Sequence, residues 1–181
     1  MKFKLAFALH NHQPVGNFDS VFEDAHSRCY LPFLELIKKH PRELVPRSIS
    51  DIIQNTDRFI VCEYRGKVVG VASWAILPEI GTAAHPTVEI QSVAVDRSAR
   101  GKGFGRALVL SAIERVKVLH PEQILVLTFT PKFFRQFGFR KIPKQKIMHK
   151  LYLGCVNCSK YDSPFTCPEV AMSLTLAGKR R

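Results

Sequence analysis

The hydrophobic residues of this chain fall into short β-rich runs separated by helical stretches. Arg58-Phe59-Ile60-Val61-Cys62-Glu63-Tyr64 and Lys67-Val68-Val69-Gly70-Val71-Ala72-Ser73-Trp74 flank Arg65-Gly66, which predicts a hairpin with a tight turn. Ser48-x-x-Asp51 before it predicts a capped helix running to Asn55. Pro78 to Pro86, with Gly81 between two prolines, reads as a loop. Thr87 to Val95 predicts a strand ended by Asp96. Arg106 to Leu119 is an amphipathic helix stopped by His120-Pro121. Ile124 to Thr128 reads as a buried strand, and Pro131 to Phe137 as a short helix with Gly138 just past its end. From residue 48 the order is α-β-β-β-α-β-α, and the C-terminal tail has no clear place in it.

The segment before residue 42 is patterned differently. Lys2 to Leu9 suits a strand, and Asp19 can cap a helix carrying Val21, Phe22, Ala25 and Cys29. Pro32 breaks that helix, a second stretch runs from Phe33 to Lys39, and His40-Pro41 closes the segment.

With 181 residues and 46% hydrophobic composition, the chain can bury a proper core. Its longest apolar runs, such as Ile124 to Phe129, fall far short of the roughly 20 residues a membrane span needs. The basic, then apolar start echoes a signal peptide. His10-Asn11-His12-Gln13 interrupts it, and no small-residue cleavage site follows, so a cytoplasmic protein is expected. The net charge of +12 calls for an anionic partner. Its basic residues are dispersed, apart from Lys179-Arg180-Arg181, and no nucleic-acid-binding signature is present. A phosphorylated small molecule fits better than nucleic acid, and no membrane partner is expected.

The loop Arg100-Gly101-Lys102-Gly103-Phe104-Gly105 stands between a strand and a helix. A helix N-terminus offers backbone N–H groups and the positive end of the dipole, which together hold phosphate. Glycines let the backbone approach an anion, and Arg100, Lys102 and Arg106 add charge. A Walker loop would need Gly-Lys-Ser/Thr, but Gly105 is followed by Arg106-Ala107. A Rossmann fingerprint would need a third glycine where Arg106 stands, and an acidic residue where the next strand ends in Leu127-Thr128. A third pattern, Arg/Gln-x-x-Gly-x-Gly/Ala, is satisfied by Arg100, Gly103 and Gly105. An ordinary glycine turn is the alternative.

With its flanks, this loop resembles the GNAT family of N-acetyltransferases over about Leu44 to Phe139. Val88-Glu89-Ile90-Gln91-Ser92-Val93-Ala94-Val95-Asp96 leads into the loop, and Phe133-Phe134-Arg135-Gln136-Phe137-Gly138-Phe139 is similar to the family's closing aromatic-Gly-Phe motif. The resemblance implies an α/β (α+β) GNAT acyl-CoA N-acyltransferase fold, a mixed and mostly antiparallel sheet flanked by helices. It also implies acetyl-CoA as co-substrate, and leaves a homodimer open. Within the family the chain resembles amino-acid N-acetyltransferases of the N-acetylglutamate synthase type, through Leu44-Val45-Pro46-Arg47-Ser48, Leu127-Thr128-Phe129-Thr130-Pro131-Lys132-Phe133-Phe134 and the cysteine tail. That implies a small amino-acid substrate such as glutamate and a place in arginine biosynthesis, with a non-catalytic acyl-CoA-binding regulatory module as the alternative.

The resemblance also implies roles. Glu89 matches the family's base, which takes a proton from the acceptor ammonium, directly or through water. A solvent-facing strand glutamate is the alternative. The backbone N–H near Val93 would stabilise the thioester oxyanion, and Val95 would pair with the pantetheine arm, while both valine side chains look like core. Arg100, Gly101, Lys102, Gly103, Phe104, Gly105 and Arg106 would hold the pyrophosphate. Arg47 could grip a substrate carboxylate or simply sit beside a helix cap. Phe134 stands where the family often has a proton-donating tyrosine, and Gln91 where many relatives carry arginine.

Two segments lie outside this picture. Residues 1–41 resemble the opening of family-57 glycoside hydrolases, through Leu9-His10-Asn11-His12-Gln13-Pro14 and Tyr30-Leu31-Pro32-Phe33-Leu34-Glu35. The carboxylate pair that such cleavage requires is missing, so glycosidase activity is not expected. A gene fusion or a misjoined reading frame would account for this head, which could stand in for the first strand and helix of an acetyltransferase domain expected over residues 42–153, with residues 154–181 as a tail. That tail carries Cys155, Cys158 and Cys167. With His149 these could ligate zinc, but their spacing is irregular, and reduced thiols without metal are the expectation.

Overall fold

The computed structural model describes residues 4–6, 34–41, 44, 46–81, 85–155, 158 and 160–176. The helix expected from Asp19 and the pair His10 and His12 lie outside the described residues. Those described form two units. One takes residues up to Ser73 with Ser92–Ala112, and the other Trp74–Gln91 with the chain from Ile113.

The first unit is built on a hairpin. Strands β2 (Phe59–Tyr64) and β3 (Lys67–Gly81) pair antiparallel, with a bulge between Cys62 and Glu63. Arg65 and Gly66 both take positive φ, 53° and 74°, the geometry of a type I′ turn that matches strand twist. β1 (Lys4–Ala6) adds to β2, Lys4 opposite Glu63, so part of the head's expected strand forms. Residues 34–38 are helical (α1), and Leu34, Leu36 and Ile37 pack with Leu44, Ile52, Val61, Val71 and Ala94 in one core. Helix α2 (Ile49–Gln54) starts as expected at Ser48, whose hydroxyl accepts the N–H of Asp51 at 3.0 Å.

The second unit holds the parallel pair. Thr87 to Glu89 of β4 (Pro86–Val95) run parallel to β5 (Gln123–Thr128), Val88 opposite Ile124. Helix α3 (Phe104–Lys117), which belongs to the first unit as far as Ala112, is the connection in sequence that parallel strands require. Phe104, Leu108, Val109, Ala112, Ile113 and Val116 recur at helical spacing and are all buried. Helix α4 (Pro131–Arg135) is followed by β6 (Arg140–Lys141), then α5 (Met148–Lys150) and a π-helical turn, Leu151–Cys155. The tail returns as β7 (Val170–Thr175), antiparallel to both β5 and β6. Among the described pairings the sheet is therefore mixed and mostly antiparallel, as expected. Leu77, Leu125, Ile147, Leu151 and Ala171 form this unit's core cluster.

Three expectations need correction. β3 continues through Pro78 to Gly81, so the loop is shorter than Pro78 to Pro86. Proline removes a donor but is compatible with extended backbone, so it limits pairing rather than ending the strand. α3 starts at Phe104 rather than Arg106, because the glycine turn ends one residue after Lys102. α4 ends at Arg135, and turns carry the chain to Gly138 at φ 89°.

Candidate functional site

The loop that follows β4 is assembled inside the first unit. Asp96 caps a 3-10 turn, Arg97–Ala99, by accepting from the Ser98 N–H at 2.9 Å and the Ser98 hydroxyl at 2.7 Å. Those bonds, and then Lys39 at 3.5 Å, hold the Asp96 carboxyl below its ordinary range. The Asp96 N–H donates to the Val69 carbonyl at 2.8 Å, fixing the loop's root to β3. Gly101 and Gly103 take φ 77° and 85°, and nothing lies within 4 Å of where a Cβ would stand. They are required by left-handed backbone, not by crowding.

Phe104 is buried, so it can offer a ligand only its backbone. Its ring lies 5.3 Å from that of Tyr64, and Lys102 Nζ stands 5.2 Å from the same Tyr64 ring. Tyr64 thus organises the loop from the hairpin, a role no motif announces. The first turn of α3 carries no acidic residue. A helix N-terminus with Lys102 and Arg106 around it and open space beside two left-handed glycines fits a phosphate-bearing ligand.

Glu89 belongs to the second unit. It lies between Val88 and Ile90 on β4, all three buried, so the solvent-facing alternative is excluded. Lys150 Nζ stands 2.7 Å from Glu89 Oε2, with the two side chains 16% and 5% exposed. A buried carboxylate needs such a partner to offset its lost hydration. Nearby groups feel the pair. Burial, reinforced by the Glu89 charge, pushes the Glu169 carboxyl up, while the Cys167 thiol 3.8 Å away opposes the rise. Burial also raises the Cys155 thiol, against the pull of Lys150. Lys150 and Glu169 escaped the sequence reading because no short spacing links them to Glu89. The available signal was chemical: a glutamate in an apolar strand implies a cation, and the stretch from Arg140 to Lys150 is rich in them.

Ser92, on β4, takes φ 55°. Positive φ at a non-glycine residue interrupts the two-residue alternation. Val93 and Val95 are accordingly half-buried rather than core, and Ala94 is the buried residue of the three. Arg47 Nη1, just before the N-cap of α2, is engaged with Asp51 Oδ2 at 2.8 Å. Phe134 is buried in an aromatic cluster, 5.2 Å from Phe133 and 5.6 Å from Phe139. Cys155, Cys158 and Cys167 are free thiols, and the Cys158 N–H donates to the Cys155 carbonyl at 3.0 Å. Among the described residues no three His, Cys, Asp or Glu side chains are grouped to hold a metal ion.

Comparison with known proteins carries the assignment. The acetyltransferase (GNAT) family matches residues 20–139. The uncharacterized N-acetyltransferase CT2212 of Chlorobaculum tepidum is 32% identical over 133 residues, covering 74% of this chain and 80% of its own length. The amino-acid acetyltransferase of Mycobacterium tuberculosis is 28% identical over 123 residues, 66% of each chain. A stretch of 40 residues is 52% identical to the α-amylase of Pyrococcus furiosus, of which it spans only 6%. Among solved structures, Rv2747 of Mycobacterium tuberculosis, in complex with CoA and NLQ, superposes with a TM-score of 0.65 at 23% identity, covering 81% of this chain and 93% of its own. The N-acetylglutamate synthase of Neisseria gonorrhoeae gives 0.64 at 18% identity, covering 81% of this chain and 32% of its own. The chain belongs to the acetyltransferase (GNAT) family and is an acetyl-CoA-dependent N-acetyltransferase.

Proposed function

We propose that this enzyme acetylates the amino group of a small amino acid, glutamate foremost, with Glu89 as the proton acceptor. The observation that carries the reading is the burial of a carboxylate on β4, the strand that leads into the phosphate-binding loop. Acetyl-CoA supplies an activated thioester; what the chain must supply is a neutral amine, an anchor for the pyrophosphate and a donor for the developing oxyanion. Glu89 accepts the proton, and Gly101 to Arg106 anchor the phosphates. The positive φ at Ser92 interrupts regular strand geometry, and the Val93 N–H is the donor assigned to the oxyanion. Phe134 gives no proton, so the thiolate leaves unassisted or with water, which a thiol's acidity permits.

The acceptor class is supported by two relatives, an amino-acid acetyltransferase and an N-acetylglutamate synthase structure complexed with coenzyme A and N-acetyl-glutamate. Arg47 is the residue assigned to the acceptor's carboxylate. No helix among the described residues is long and apolar enough to cross a membrane, in keeping with work in the cytoplasm. Release of CoA thiol from acetyl-CoA, measured across a panel of amino acids, tests the reading. Glutamate-stimulated release that is largely lost in Glu89→Gln supports it. Tight acetyl-CoA binding without release for any amino acid overturns it.

A further inference from the structure

Lys150 reaches Glu89 by lying across Gly154. Its helix runs straight into the π-helical turn Leu151–Cys155, and a single π turn inside a helical segment commonly marks a functional place. A Cβ built on Gly154 would stand 2.7 Å from Lys150 Nζ, 3.2 Å from Cε and 3.6 Å from Cδ. Gly154 is not one of the left-handed glycines, so its backbone makes no demand for glycine. The demand comes from the lysine: any side chain at Gly154 would occupy the space where the ammonium rests. That same Nζ is the atom 2.7 Å from Glu89 Oε2.

The geometry points to Lys150 as the positioning residue for Glu89, with Gly154 as the slot that admits its ammonium. This rests on the reading of Glu89 as proton acceptor. The terminal side-chain torsion of a glutamate is soft, so even a buried carboxylate such as that of Glu89 takes its orientation from its neighbours. An ammonium 2.7 Å from Oε2 attracts that oxygen electrostatically and so favours the carboxylate setting that leaves Oε1 for proton transfer. It also offsets part of the hydration the carboxylate loses on burial. Cys155 and Glu169 border the pair but neither supplies a positive charge, so the work falls to Lys150.

The test is steady-state kinetics with the best amino-acid acceptor. Lys150→Met should lower kcat by about 10- to 100-fold, the usual effect of a misaimed catalytic group, while leaving KM for acetyl-CoA unchanged. Lys150→Arg, which keeps the charge, should recover much of that loss. Gly154→Ala is the sharper variant. It displaces only the far end of a flexible side chain, so thermal stability should stay near wild type while kcat falls as in Lys150→Met. Added to Lys150→Met, it should cost nothing more, because the group it displaces is already gone. Should Lys150→Met fail to fold, Gly154→Ala carries the test by itself. Wild-type kcat in Gly154→Ala and Lys150→Met, with Glu89→Gln inactive, overturns the positioning role and leaves the base standing. Wild-type kcat in Glu89→Gln overturns the base, and this role with it.

Discussion

Arg100 binds His40: its Nη2 donates to the imidazole Nδ1 at 3.3 Å, while its Nε donates to the Val95 carbonyl at 3.3 Å. A guanidinium has only donors, so Nδ1 must present its lone pair and the ring proton sits on Nε2. The loop's leading cation is therefore tied at one end to the strand it follows and at the other to the segment after α1. His40 is 5% exposed, which protects the bond from water. His40→Leu removes the acceptor while keeping an apolar side chain of similar bulk. One lost hydrogen bond of about 1 kcal/mol corresponds to about fivefold weaker binding of acetyl-CoA. Calorimetric titration with CoA reads this directly, and unchanged affinity would show that Arg100 holds the loop without His40.

Gly70 is the close-packing glycine of the first unit. A Cβ there would stand 2.8 Å from Leu108 Cδ1, 3.3 Å from the Ala94 carbonyl oxygen and 3.5 Å from Cys62 Cβ. Leu108 is fully buried on α3, so it has no solvent into which to retreat. Gly70→Ala should cost about 1–3 kcal/mol by overpacking. The melting temperature would then fall by about 3 to 8 °C, with far-UV dichroism unchanged. Leu108→Ala vacates the same space at its own cost in core packing, so the two changes together should destabilise by less than the sum of each alone.

Where local chemistry decides structure, the sequence was readable. Arg65-Gly66 demanded a tight turn, Ser48 a helix start and Gly138 a left-handed residue, and each is found there, whereas the helix expected to run to Leu119 ends at Lys117, ahead of His120-Pro121. What failed was pairing over distance. The residues of β7 carry an ordinary apolar pattern, and only their partners on β5, far back in the chain, make them a central strand. Lys150 is one lysine among several until the fold brings it to Glu89. The half-burial of Val93 and Val95 depends on one torsion at Ser92, a residue whose type does not demand it.

Arg47 separates two roles that share one side chain. Its 2.8 Å bond to Asp51 is part-buried and ties the residue before the N-cap to the first turn of α2, a pair of small worth, about 0–1 kcal/mol. If the guanidinium also receives the acceptor's carboxylate, Arg47→Gln should raise KM for glutamate by about tenfold or more and leave KM for acetyl-CoA alone. Asp51→Asn breaks the same ion pair without removing the guanidinium, so it should not raise KM for glutamate. Equal effects of the two variants would assign Arg47 to the helix only.

Glu169 gives the pH dependence a definite sign. Burial, with Glu89 adding to it, raises its carboxyl in the folded state above the unfolded value. A carboxyl raised on folding contributes stability that is complete below the unfolded value, near 4.3, and is lost as pH rises through the folded one. At neutral pH the folded protein therefore carries a destabilising charge. Glu169→Gln removes that charge but keeps an amide able to accept from the Cys167 thiol 3.8 Å away. The variant should melt higher than wild type at pH 7 to 8, and the gap should close as the pH falls towards about 4. Thermal melts of both proteins across that range provide the check. A gap that stayed constant would mean that Glu169 does not titrate between folded and unfolded states. A gap that widened on acidification would mean that Cys167 and Lys144, which favour the charged form, outweigh burial and the Glu89 charge.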